Sequence, residues 1–164
     1  MHKEQREFCL EVKRKYPEYF NGMTVLDVGS LDINGNNRYL FQHCSYDGMD
    51  IIAGPNVDII CPVHLYAGNP YGIVICTEML EHDCHWKKSM KRMIELAGKA
   101  LLITCATGQR QEHGTKENKP LDSPATNDYY QNIGICEFRQ RIRGEFKSFI
   151  LQETIEDLYF WGMK

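Results

Sequence analysis

The chain has no CxxC pair, although it carries seven cysteines in 164 residues. Paired thiols at that spacing would suggest a zinc ribbon or a redox dithiol, and neither is supported. Cys61, Cys76 and Cys105 instead sit inside apolar runs, where cysteine acts as a small core residue. An odd number of thiols without a pairing pattern is expected to be reduced, which places the chain in the cytoplasm, a host cell's if the source is viral. No apolar run approaches the roughly 20 residues needed to span a bilayer, so no membrane association is expected. The opening segment, MHKEQRE, lacks the apolar stretch of a signal peptide. There is no excess of positive charge: the net charge is −3. No general case for nucleic-acid binding follows from the composition. Internal repeats and low-complexity tracts are absent too, which leaves one ordinary soluble domain over residues 1–164.

What is present centres on residues 24–38, TVLDVGSLDINGNNR. The apolar, β-branched run Thr24–Val28 predicts a buried strand over 23–28. Gly29, Ser30 and the Asn34-Gly35 pair predict a tight turn, and a helix is expected over 36–43 with Tyr39, Leu40 and His43 on its apolar side. A strand running into such a turn marks a nucleotide-cofactor site at the carboxyl end of a parallel strand. Asp27 bears on which cofactor. Its carboxylate, at the strand end, would repel a pyrophosphate and attract a ligand carrying an ammonium and a sulfonium. S-adenosylmethionine (SAM) is such a ligand. The GxGxxG turn of a nicotinamide-dependent oxidoreductase is missing, which makes that enzyme class the weaker reading.

The remaining elements follow in order. Phe8, Val12 and Tyr16 share a helical face that Pro17 ends, giving an N-terminal helix within 1–20 that packs on the sheet edge or over the cleft. A second strand over 45–50 ends in Asp50, 23 positions after Asp27. An acidic residue there binds the ribose hydroxyls of an adenosine cofactor. A third strand is expected over 57–61, with Cys61 and Val63 beside the adenine and Asp58 turned away. Residues 71–77 form a continuously apolar strand, as expected when both faces are covered. Trp86, Met90, Met93, Ile94 and Ala97 trace a helix over 84–97, closed by Gly98. A fifth strand is expected over 100–104. Residues 106–132 show little periodicity, and a loop of this length in a compact domain is usually functional or mobile. Ile135, Phe138 and Ile142 make a short helical face. The runs 146–152 and 158–163 form a terminal hairpin.

The segments VLDVGS (25–30), Asp50, CPVH (61–64) and TEMLEH (77–82) resemble the successive motifs of class I SAM-dependent methyltransferases, closest to the small bacterial and viral type. The likeness runs from about residue 22 to the C-terminus, taking in TCATG (104–108), EHGT (112–115) and DLYFWGMK (157–164). It implies an α/β, Rossmann-like three-layer sandwich: a seven-stranded, mostly parallel sheet whose last strand is antiparallel between its neighbours. It implies SAM as cofactor. Asp27, Gly29 and Ser30, with Leu31 and Asn34 of the turn, would hold the methionine moiety. Asp50 and Ile51 would hold the ribose, Cys61 and Val63 would frame the adenine, and Thr77, Glu78 and Met79 would line the cleft near the methyl. Two departures stand out. The glycine-rich turn is reduced to Gly29 and Gly35, and Pro62 stands where an aspartate commonly contacts the adenine.

For the chemistry, His113 in the long loop is the first candidate base, followed by His82 and Glu81, with Glu78, His85 and the Tyr129-Tyr130 pair as further candidates. His82 and His85 are three apart and share a helical face, but without a third ligand nearby no metal site is expected. Arg139, Arg141, Arg143 and Lys147 form a positive cluster, read as a solvated surface rather than an anion site. The expected activity is methyl transfer to the hydroxyl of a small molecule or of a sugar or glycan component. The alternative is a silent SAM-binding or assembly subunit. A chain this short leaves the acceptor side open, which makes a homodimer or partner reasonable.

Overall fold

The structure is a computed structural model and describes residues 3–164. The strands are β1 (Thr24–Val28), β2 (Ser45–Asp50), β3 (Ile59–Ile60), β4 (Tyr71–Thr77), β5 (Ala97–Ala106), β6 (Ser148–Glu153) and β7 (Asp157–Met163). The helices are α1 (Lys3–Lys15), α2 (Trp86–Leu96) and α3 (Ile135–Ile142). The strands form one sheet in the order β3-β2-β1-β4-β5-β7-β6. β1 to β5 run parallel, and β7 lies between β5 and β6, antiparallel to both.

Alternation along the strands divides the core between the two faces of the sheet. Leu26, Val74, Cys76, Leu101 and Ile103 point to one face, where Met90 and Met93 of α2 and Phe138 of α3 cover them. Val25, Ile73, Ile75 and Leu102 point to the other, under Phe8 and Val12 of α1. This double covering is why β4 and β5 read as unbroken apolar runs. Trp161 of β7 anchors the second face, with ring centroids 5.3 Å from Tyr19, 5.8 Å from Phe20 and 5.9 Å from Tyr16. Pro17 starts the short 3-10 turn that carries Tyr19 and Phe20 onto this ring. α1 therefore lies on a face of the sheet rather than on its edge.

Three expected elements are corrected. The helix over 36–43 is a single 3-10 turn, Arg38–Leu40. Asp32 takes the Gly35 amide and the Asn36 side chain, Asn37 turns inward, and His43 is left-handed at φ 51°. These asparagine and aspartate contacts compete with a helix, and of the three expected apolar residues only Leu40 is buried. The third strand is two residues long: the Asp58 amide still donates to the Gly48 carbonyl at 2.7 Å, but the Gly48 amide is taken by the Asp58 carboxylate, which also pairs with Arg38. Gly98 does not cap α2: β5 starts at Ala97, which pairs with Tyr71.

The first crossovers thus lack full helices, and among the described residues no α-helix starts between β1 and β2. That removes the dipole that usually favours a phosphate there. Because Trp161 is fully buried among three aromatic rings, Trp161→Ala should cost about 3–5 kcal/mol. Denaturant unfolding followed by far-UV circular dichroism would check this, and a loss under about 1 kcal/mol would contradict the anchoring role.

Candidate functional site

Between β1 and β4 the strand order changes direction, and a crevice forms outside the carboxyl ends of such strands. A cavity of about 370 Å³ occupies it. Lining it are Asp27, Gly29, Ser30, Leu31 and Asn34 from β1 and its turn, Asp50 and Ile51 after β2, and Cys61 and Val63 after β3. Thr77, Glu78 and Met79 line it from the end of β4, together with His82 and His113. Glu81 lies behind the wall, fully buried, with Oε1 accepting from the Ala106 amide at 3.2 Å.

Side-chain hydrogen bonds hold the turn where glycines are few. Gly29 and Ser30 donate their amides to the Met49 carbonyl at 2.9 and 3.0 Å. The Ser30 hydroxyl donates to the Asn56 carbonyl at 3.0 Å, so it braces the turn rather than facing the cavity freely. Gly29 itself has no substitute: its φ is 77°, and a Cβ would lie 2.6 Å from Met79.

Asp50 accepts amide hydrogen bonds from Leu31 at 3.2 Å and Ile51 at 2.7 Å. The Ile52 amide lies 3.4 Å from the same oxygen that takes the Ile51 amide, and a carboxylate has about four acceptor sites, so room remains for one hydroxyl. Asp27 is only 1% exposed and takes hydrogen bonds from the Tyr46 hydroxyl and the Asn37 amide. Burial pushes its carboxyl up from 3.8 to about 6, and the Tyr46 and Asn37 bonds counter this only in part. At the β4 end, Glu78 adopts φ 53° and its Oε1 accepts from the Thr104 hydroxyl at 2.8 Å. Burial raises the carboxyls of both Glu78 and Glu81.

His82, His113 and Tyr130 form a ring cluster with centroids 5.1 to 5.4 Å apart. Burial, then the neighbouring His113, lowers His82 to about 4, and burial lowers His113 as well. Both imidazoles are therefore neutral at pH 7. The His113 Nδ1–H donates to the Gln111 carbonyl at 3.1 Å, which leaves Nε2 as the lone-pair nitrogen. Gly114 lets the loop lie this close, since a Cβ there would fall 2.7 Å from His82. His85 is parted from His82 and meets His64 instead, at 4.7 Å. The arginines of α3 and Lys147 are exposed and outside the cavity wall.

Two wall residues carry no sequence signal. Gln5 of α1 is 2% exposed, lines the cavity, and has no hydrogen-bond partner on either amide atom. Asn37 donates to Asp27 and to the Thr77 hydroxyl at 3.0 Å, while its Oδ1 is unpartnered. Only long-range packing brings α1 to the mouth of β1, and an asparagine within a turn reads simply as a turn former.

No protein-family model matches the chain, and no curated protein does. Solved structures do match in fold. A Burkholderia thailandensis 1,6-didemethyltoxoflavin-N1-methyltransferase with bound S-adenosylhomocysteine superposes with TM-score 0.66 at 13% identity, covering 99% of this chain and 78% of that one. The Synechocystis PCC 6803 magnesium protoporphyrin IX methyltransferase gives 0.64 at 15% identity, over 98% and 83% of the two chains. A Haemonchus contortus phosphoethanolamine N-methyltransferase in complex with SAM gives 0.68 at 12%, covering 96% of this chain and 52% of that one. The chain has the fold of the class I SAM-dependent methyltransferases.

The raised Asp27 carboxyl has a measurable consequence. A carboxyl raised on folding favours the folded state below its unfolded pKa, and that contribution is lost as pH rises through the folded value. A tenfold change in proton affinity is worth about 1.4 kcal/mol. Relative to Asp27→Asn, the wild-type protein should therefore lose about 2 kcal/mol of unfolding free energy between pH 4 and 7. Urea unfolding of both proteins across that range would test it, and a constant difference would show that Asp27 is not raised.

Proposed function

We propose that this chain is a SAM-dependent methyltransferase acting on an oxygen nucleophile of a small-molecule acceptor, such as a sugar hydroxyl. One observation carries the reading: a crevice at the switch point whose polar wall is acidic at both the methionine and the ribose positions. Asp27 opposes a pyrophosphate there and suits a cation, and Asp50 keeps acceptor capacity for a ribose hydroxyl. The orphaned amide of Gln5 and the free Oδ1 of Asn37 fit a ligand with both donors and acceptors. The fold shared with structures that hold SAM or S-adenosylhomocysteine supports the same cofactor.

SAM supplies a methyl group already activated on a positive sulfur. The chain's task is then to bind, align and handle one proton. Asp50 and the turn fix the nucleoside, while Glu78 and Met79 at the β4 end shape the wall beside the methyl. The acceptor enters between His82, His113 and the 122–126 segment of the long loop. His113 is neutral, and its Nε2 lone pair would take the proton of an acceptor hydroxyl when that oxygen receives the methyl group SAM would supply. His82 and Tyr130 pack against that ring and hold its plane.

Two outcomes are expected. Asp50→Asn should weaken SAM binding roughly ten- to a hundredfold, the loss of about 1.5–3 kcal/mol for a charge-assisted contact, with calorimetry as the readout. An unchanged affinity would remove Asp50 from the site. Against a panel of hydroxylated acceptors, release of S-adenosylhomocysteine should be detectable. His113→Ala should then lower kcat by about 10²–10⁴ and leave SAM affinity within a few-fold. A protein that binds SAM and turns over no acceptor would be a binding subunit instead.

A further inference from the structure

Glu81, His82 and His113 each bring a ligand atom to one point: a carboxylate oxygen and two ring nitrogens, all within 4.8 Å of one another. Sequence spacing pairs His82 with His85 and offers no third ligand. The fold replaces His85 with His113, thirty-one positions beyond His82, and adds the adjacent Glu81. Two of the three side chains are deeply buried with an orphaned polar atom. Glu81 is 0% exposed and its Oε2 has no hydrogen-bond partner, and His82 is 7% exposed with Nδ1 unpartnered. Leaving such atoms unmade is costly, and a cation satisfies them. The third ring has one N–H given to a backbone carbonyl, the Gln111 oxygen at 3.1 Å, as metal-ligating imidazoles usually do.

We propose that Glu81, His82 and His113 form a binding site for a divalent transition metal of the zinc class, open toward the cavity. The donor set of two imidazoles and one carboxylate, without thiolate, suits Zn, Fe, Co or Ni. Three protein ligands leave a further coordination position, the pattern of catalytic rather than structural sites. His82 and His113 line the cavity and Glu81 stands behind them, so that position faces the acceptor space. Tetrahedral bonds of about 2.0–2.1 Å set ligand atoms about 3.4 Å apart. Binding therefore draws the three inward, and His113, carried on the long loop, is the ligand that moves. If the methyltransferase reading holds, an acceptor oxygen is the natural fourth ligand, and with metal bound His113 is a ligand rather than the base.

The test uses the whole chain after chelator treatment, titrated with Zn(II) by calorimetry and with Co(II) by visible absorption. One equivalent should bind, and Co(II) should develop the d–d bands of an N/O site with no thiolate charge-transfer band. His113→Ala should weaken binding at least tenfold, as should Glu81→Gln, whereas the exposed His43→Asn should leave it unchanged. Glu81 is buried and its variant could unfold, so His113→Ala on the surface loop decides, with its circular dichroism spectrum showing that it is folded. No binding tighter than millimolar, a thiolate band, or equal affinity in His113→Ala would each overturn the site. None of these readouts requires SAM, so the metal site can fail while the methyltransferase reading stands, and the reverse.

Discussion

Burying the Asp27 carboxylate at the end of β1 constrains much of what surrounds it. A charge in that position requires partners. Tyr46 from β2 and Asn37 from the first crossover supply them, and Asn37 also ties the Thr77 hydroxyl at the end of β4. Three chain segments are therefore fixed to one another around a single carboxyl group. The inward turn of Asn37 in turn explains why the first crossover is not a helix. With no helix there, the turn depends on Asp32, Asn56 and Asp50 for the bonds that a glycine-rich turn and a helix N-terminus usually provide.

The two ends of the crevice are built differently. The end at β1 and β2 rests on strand termini, where backbone amides and carboxylates are held by the sheet. The end at β4 is closed by the loop after β5, which reaches back to place His113 and Tyr130 against His82. Gly114 permits that contact, and the Gln131 amide, donating to the Glu81 carbonyl at 2.8 Å, pins the returning part of the loop.

Local pattern makes much of this legible. Unbroken apolar runs identify β1, β4 and β5, because a strand buried on both faces must be apolar along its length, whereas β2, SYDGMD, is marked by the Asp50 that ends it and the terminal hairpin by two β-rich runs a short loop apart. Asp27 and Asp50 stand out because carboxylates at strand ends are costly unless used. The elements that differ are those where side chains compete with the backbone: Asn36, Asn37 and Asp58 each carry local hydrogen bonds that cancel the helix or strand their neighbours favour. Gly98 differs for a related reason, since the same residue serves a helix cap and a strand start equally well.

By itself, then, the sequence determined the layered sheet and the acidic, glycine-bearing crevice, since both follow from periodicity and from charge at short range. Only the tertiary structure decided what lies opposite what. It put Gln5 of the first helix into the cavity wall and separated His82 from His85. It also brought Glu81, His82 and His113 to one point. Those choices depend on how a long loop and an N-terminal helix pack across the sheet. That packing energy is spread over many distant contacts and leaves no periodic trace along the chain.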